Sequence, residues 1–158
     1  MSALLPFQKA LAMSGSSYTS GFGQAVSEDL SDERPRCLVV EDESVIATFL
    51  EEELRDAEIS VIGPFTRCDE AIHRLQYISP HVAILDTQLL DGSSAQLALK
   101  LRARNIPFVV HSGYDRTHEQ AIEAYAEAPW ITKPSMPGDI VRAVKSLVEV
   151  KSCDDTGG

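Results

Sequence analysis

Four polar groups stand directly after four aliphatic runs, and their types suit the acceptance of a phosphoryl group. Asp86 closes the run His81-Val-Ala-Ile-Leu85, and the acidic cluster Glu41-Asp42-Glu43 follows Cys37-Leu-Val-Val40. Ser112 ends Pro107-Phe-Val-Val-His111, and Lys133 follows Trp130-Ile-Thr132. Runs of this length are candidate buried strands, and a parallel sheet gathers their ends at one edge, where ligands bind in open α/β folds. Carboxylates packed together repel, so such a cluster holds a proton or demands a cation. Hard oxygen ligands favour Mg2+, which takes one or two protein carboxylates and keeps several waters. Asp42 and Asp86 are the expected direct ligands, Glu41 acts through water, and the carbonyl of Gln88 is a third candidate. Asp86 would then be a nucleophile beside a divalent ion, with Lys133 for charge and Ser112 for a hydroxyl contact. Taken singly, each group has a plainer meaning: acids suit a helix N-terminus, and Asp or Ser-Gly forms turns. The signal is their coincidence on four strand ends.

The elements that must position these groups alternate along the chain. Short apolar runs separated by stretches of helical period are the pattern of βα units around a parallel sheet. The first helix is expected over Glu43–Ala57, with Val45, Ile46, Phe49, Leu50 and Leu54 on its apolar stripe. Ile59–Phe65 reads as an edge strand bent at Gly63-Pro64. Thr66-Arg-Cys-Asp69 has capping-box spacing and opens a second helix to Tyr77. His81–Asp86 is the third strand, and Ser93 or Ser94 caps a third helix ending near Asn105. Ile106–His111 is the fourth strand, Asp115–Glu127 the fourth helix and Trp130–Thr132 the fifth strand. A last helix runs from Pro137 to Val150. The expected fold is α/β, a five-stranded doubly wound parallel sheet.

Outside this core, residues 1–34 read as a flexible N-terminal extension, with Ser14–Gly23 small and polar and Glu28–Arg34 charged. Residues 35–150 form the folded domain, and 151–158 a disordered C-terminal tail. The chain has 158 residues, enough for one domain with a real core, and is 44% hydrophobic and 24% charged. A net charge of −10 argues against a nucleic-acid surface. Cys37, Cys68 and Cys153 lack metal-ligand spacing and read as reduced thiols in a cytoplasmic protein. No apolar stretch approaches the roughly 18 residues that span a bilayer, so no membrane association is expected.

The ordered set Val-Val-Glu-Asp-Glu (39–43), Ile-Leu-Asp (84–86), His-Ser-Gly (111–113) and Thr-Lys-Pro (132–134) resembles the receiver domain of two-component response regulators. The resemblance runs from Arg36 to Val150 and implies a flavodoxin-like (βα)5 fold with strand order 2-1-3-4-5. It implies that Asp86 is the phosphoacceptor, loaded by a histidine kinase or a histidine phosphotransfer protein. It further implies Mg2+ at Glu41 and Asp42, Lys133 and Ser112 as phosphoryl partners, and a contact from the Thr87 backbone N–H. Ser112 and Trp130 match the pair that acts as a switch, although the family usually carries Tyr or Phe where Trp130 stands. Gln88 and Tyr114 match the two variable positions that control access of hydrolytic water. A cis Lys133-Pro134 bond is frequent among such domains.

This resemblance implies a signalling phosphoprotein rather than an enzyme, acting in a phosphorelay through protein contacts. Its usual dimer or target face is formed by the fourth helix, fifth strand and fifth helix. The leading expectation is a stand-alone, single-domain regulator. Alternatives are a receiver fragment of a longer regulator, or an aspartyl-phosphate phosphatase. The latter class wants a second Asp two residues beyond the nucleophile, where this chain has Gln88.

Overall fold

Cys37 and Val39 face one way along the first strand, Leu38 and Val40 the other, and all four are fully buried. A strand apolar on both faces must be covered on both, which is the condition of a parallel sheet layered between helices. The computed structural model, which describes residues 33–118 and 122–155, has that arrangement. The strands are β1 (Arg36–Val40), β2 (Ser60–Phe65), β3 (Val82–Leu85), β4 (Phe108–Ser112) and β5 (Trp130–Thr132). They pair in parallel in the order β2-β1-β3-β4-β5. The helices are α1 (Ser44–Asp56), α2 (Cys68–Arg74), α3 (Ala95–Ala103) and α4 (Asp139–Asp155). Leu38, Val40, Ala83, Leu85, Phe108 and Val110 pack with residues of α2 and α3. On the opposite face Cys37, Val39, Val82, Ile84 and Val109 pack with Leu50 and Leu54 of α1 and Ile140 and Val144 of α4. The chain leaves β1 toward β2 and leaves β3 toward β4, so the order reverses between β1 and β3, where a ligand crevice opens.

Several local expectations change. Residues 1–32, nearly all of the proposed N-terminal extension, and 156–158 of the proposed tail lie outside the described residues. Lys151–Asp155 is not tail but the last turn of α4, which continues past Val150. The segment Asp115–Glu127 forms no α-helix among its described residues, only the 3-10 turns Arg116–His118 and Ile122–Tyr125. There Asp115 accepts from both the backbone N–H and the hydroxyl of Thr117, a local turn that competes with helix, and Glu127 leaves with φ 66°. On α1 the buried positions are Ala47, Leu50 and Leu54, whereas Val45 and Phe49 remain on the solvent side. Thr66 does not cap α2. The carboxylate of Asp91 does so from a distance, accepting from the N–H groups of Cys68 (2.8 Å) and Asp69 (3.0 Å). Such a cap is worth about 1 kcal/mol.

The β2 bend is confirmed at Gly63-Pro64, a cis bond where the register between β1 and β2 shifts. Gly63 has φ +111°, and a Cβ there would meet the Val39 carbonyl oxygen at 2.7 Å, so the position admits only glycine. A short hairpin pairs Gln88–Leu89 with Gly92–Ser93 just beyond β3.

Candidate functional site

Asp86 follows β3 directly, and its backbone is fixed before its side chain does anything. Its N–H donates to the Val40 carbonyl (3.0 Å), continuing the ladder to β1, and its own carbonyl accepts from Ser94 Oγ (2.5 Å). Ser94 also donates its N–H to the Thr87 carbonyl at 3.1 Å. The backbone of Asp86 is therefore held by a clamp between β1 and the start of α3. The residue is 6% exposed, with its carboxylate Oδ1 accepting the Gln88 N–H at 3.2 Å and Oδ2 lying 2.6 Å from Lys133 Nζ.

Lys133 leaves the end of β5 by a cis bond to Pro134 and donates its N–H to the Ser112 carbonyl at 2.8 Å. Its ammonium serves three acids. Besides Asp86 it donates to Glu41 Oε1 at 3.0 Å, lies 2.8 Å from Glu41 Oε2, and reaches Glu43 Oε1 at 3.4 Å. The angle serves Oε1, so Glu41 Oε2 is ion-paired but receives no hydrogen bond. Burial alone would lower the lysine pKa; the bonds to Asp86 and Glu41 more than offset it and raise it above the usual value. Glu41 is 1% exposed, and its carboxyl is pushed up to about 7 by burial and by the charge of Asp86, against the pull of Lys133 and the Glu43 N–H.

Glu41, Asp42 and Asp86 each present an oxygen within 4.8 Å of the others. Three carboxylates around one ammonium leave the site short of positive charge. The convergent oxygens and this charge deficit fit a hard divalent cation such as Mg2+.

Ser112 ends β4, fully buried, with Oγ 2.8 Å from Thr87 Oγ1 and accepting the Tyr114 N–H at 3.2 Å. Tyr114 in turn accepts Trp130 Nε1–H on its carbonyl at 3.0 Å, while the residue is 59% exposed. Trp130 is held on three sides: by that bond, by Tyr125 edge-on with centroids 5.9 Å apart, and by the Arg116 guanidinium 5.6 Å over its ring. Arg116 is itself tied to the Ala128 carbonyl.

The strand ends thus bring together Asp86, Glu41, Asp42, Lys133, Ser112 and Thr87. Gln88 enters through its backbone, its side chain being exposed, and Tyr114 and Trp130 lie behind Ser112. Sequence reading missed Ser94 and Tyr125. Ser94, an expected helix cap, holds the cap position, but its hydroxyl serves Asp86, while Ser93 Oγ accepts the Ala95 N–H. Tyr125, expected within a helix, is buried, with Oη 3.0 Å from Ser94 Oγ. No sequence pattern signals a contact across 31 residues. His111, to which the sequence assigns no role, is buried, neither ring nitrogen has a hydrogen-bond partner, and burial with the nearby Lys133 charge lowers its pKa to about 4.

Comparison with known proteins places this geometry among others. The model of the response regulator receiver domain family matches residues 37–145. Among solved structures, the Francisella response regulator 1452 receiver domain is similar at 20% identity and TM-score 0.65, covering 75% of this chain and 99% of that one. A response regulator receiver domain protein from Methanospirillum hungatei JF-1 gives 20% identity, TM-score 0.67, and 77% and 98% coverage. A receiver domain from Methylobacillus flagellatus gives 20%, 0.62, and 72% and 98%. A search of curated proteins finds no significant match.

Proposed function

The chain belongs to the response regulator receiver domain family, and from that premise we propose that Asp86 accepts a phosphoryl group in a two-component phosphorelay. The donor in this reading is the phosphohistidine of a sensor kinase or of a histidine phosphotransfer protein. A carboxylate oxygen of Asp86 forms the new P–O bond as the P–N bond breaks, and the electron pair leaves with the imidazole. The observation that carries the reading is Lys133 Nζ at 2.6 Å from Asp86 Oδ2 beside two further carboxylates within 4.8 Å.

Positioning and charge neutralisation do nearly all the work in such a transfer. Ser94 and the β1 ladder fix the backbone of Asp86, so the nucleophile is aimed before the donor arrives. Lys133 neutralises oxygens of the arriving group. Ser112 turns its hydroxyl from Thr87 toward a phosphoryl oxygen, and the Thr87 N–H contacts another. Asp42, Asp86 and the Gln88 carbonyl would hold Mg2+, with Glu41 through water; when bound, the ion supplies charge that steadies the transferring oxygens. Gln88 and Tyr114 flank the path of hydrolytic water.

In this reading the output is a change of protein contacts, to a downstream target or a second copy, on the face bearing the segment after β4, β5 and α4. The protein is a cytoplasmic signalling phosphoprotein rather than an enzyme. No described helix is long and apolar enough to cross a membrane. The test is phosphorylation from a small phosphoramidate donor with Mg2+, followed by intact mass. Wild type should gain one phosphoryl group and Asp86→Ala none; an equal yield in Asp86→Ala overturns the assignment.

A further inference from the structure

Tyr125 is the largest fully buried side chain among the described residues, and its hydroxyl reaches the floor of the site. Ser94 has one hydroxyl proton, and its 2.5 Å contact to the Asp86 carbonyl uses it. In the 3.0 Å contact between Ser94 Oγ and Tyr125 Oη, Tyr125 must therefore donate. Ser94 is itself anchored, bonded through its N–H to Thr87 and through its carbonyl to Ala98. The tyrosine is thus tied to a fixed point in the backbone beneath the phosphoacceptor.

Two lines of contact leave residues 86 and 87 and meet at Trp130. One runs from Thr87 Oγ1 to Ser112 Oγ, through the backbone of Tyr114, to Trp130 Nε1. The other runs from the Asp86 carbonyl through Ser94 to Tyr125, whose ring stands edge-on to Trp130 at 85°. Either hydroxyl can donate in the Thr87–Ser112 contact, and a phosphoryl oxygen on Asp86, a charged acceptor, draws the Ser112 proton to itself, so the first line responds to the new group. The second line contacts only the Asp86 backbone carbonyl and is not remade by the new group.

We propose that Tyr125 is a positioning residue whose hydroxyl, through Ser94, holds Trp130 and the chain leading into β5 in the resting arrangement and so opposes the response to phosphorylation. The inference rests on the phosphoacceptor reading of Asp86. Coupling between sites is reciprocal, so a contact that resists the response also weakens binding of the group that causes it.

The test titrates beryllofluoride with Mg2+ into full-length wild type, Tyr125→Phe and Asp86→Ala, following heat and the emission of the single tryptophan. Tyr125→Phe keeps the ring and loses the donor. It should bind roughly three- to tenfold tighter, the scale of one neutral hydrogen bond. Its unliganded emission should move toward that of liganded wild type. A residue with a merely structural role would loosen the site and weaken binding; equal or weaker affinity overturns the proposal. If Tyr125→Phe does not fold, 3-fluorotyrosine-labelled wild type decides: a Tyr125 resonance unmoved by beryllofluoride overturns it. Absence of binding by wild type, or its persistence in Asp86→Ala, instead sinks the phosphoacceptor reading, and this proposal falls with it.

Discussion

Lys133 Nζ lies 2.6 Å from Asp86 Oδ2, although the two side chains rise from β5 and β3, with β4 between them. The lysine side chain, 9% exposed, spans a whole strand to place its charge on the nucleophile and on Glu41. Removing it leaves two buried carboxylates unpaired, a change that costs about 3 to 5 kcal/mol when no proton or water intervenes. Glu41 already titrates near 7 and can take a proton, which places the loss at the lower end. Lys133→Met should therefore lose about 3 kcal/mol at pH 8 in metal-free buffer. It should regain part of that as the pH falls to 6. Urea unfolding at the two pH values checks both statements, and an equal loss at both would show that no carboxylate is left waiting for a proton.

Metal binding should itself stabilise the fold, because the three carboxylates converge only in the folded chain. At a Mg2+ concentration 100 times its Kd the gain is about 2.7 kcal/mol. Asp42→Asn keeps the shape and removes a charged ligand, so its thermal midpoint should respond far less to added Mg2+. Equal shifts in the two proteins would place the ion elsewhere.

The convergence of the site residues was legible in the sequence because they sit where strands end, and strand ends are marked by a change from aliphatic to polar residues. Asp86, Glu41 and Lys133 are all of this kind, and five apolar runs alternating with helical stretches mark a parallel sheet, whose strand order only the resemblance to receiver domains implied. What could not be read was set by tertiary contact. Asp91 caps α2 from another loop, and Ser94 turns its hydroxyl from its own helix to the Asp86 carbonyl. Tyr125 lies in a stretch of helical composition that instead forms short turns around a ring pinned against Trp130. Val45 and Phe49 carry the helical period of α1 without facing the core, since periodicity fixes a stripe but not how wide a neighbour covers it.

His111 gives a pH signature of the fold. Its pKa falls from 6.5 to about 4 because the ring is buried and faces the Lys133 charge. Between those values the unfolded chain binds the proton and the folded chain does not, so stability is lost as pH falls through 6.5 toward 4. At pH 5 the loss is about 2 kcal/mol relative to pH 8. Glu41 works the other way: raised from 4.5 to about 7, it contributes stability at low pH that is lost as pH rises through 7. The two oppose each other between 4.5 and 6.5, so the wild-type profile is shallow. His111→Leu removes one of them. In metal-free buffer, wild type should lose about 2 kcal/mol more than His111→Leu between pH 8 and pH 5. Matching losses would mean that the histidine is protonated where it lies.

Tyr114 offers a separation that its neighbours do not. Trp130 is bonded to its backbone carbonyl and Ser112 to its backbone N–H, so the ring of this exposed residue takes no part in either link. Tyr114→Ala should leave that pathway in place while opening the approach to Asp86. If the ring shields the acyl phosphate from water, the alanine variant should lose its phosphoryl group several-fold faster at unchanged loading. The emission change of Trp130 on phosphorylation should stay that of wild type. Mass measurements of the decay after donor removal, read beside that emission, distinguish shielding from signalling. A decay rate equal to or slower than wild type would show that the ring does not shield the acyl phosphate.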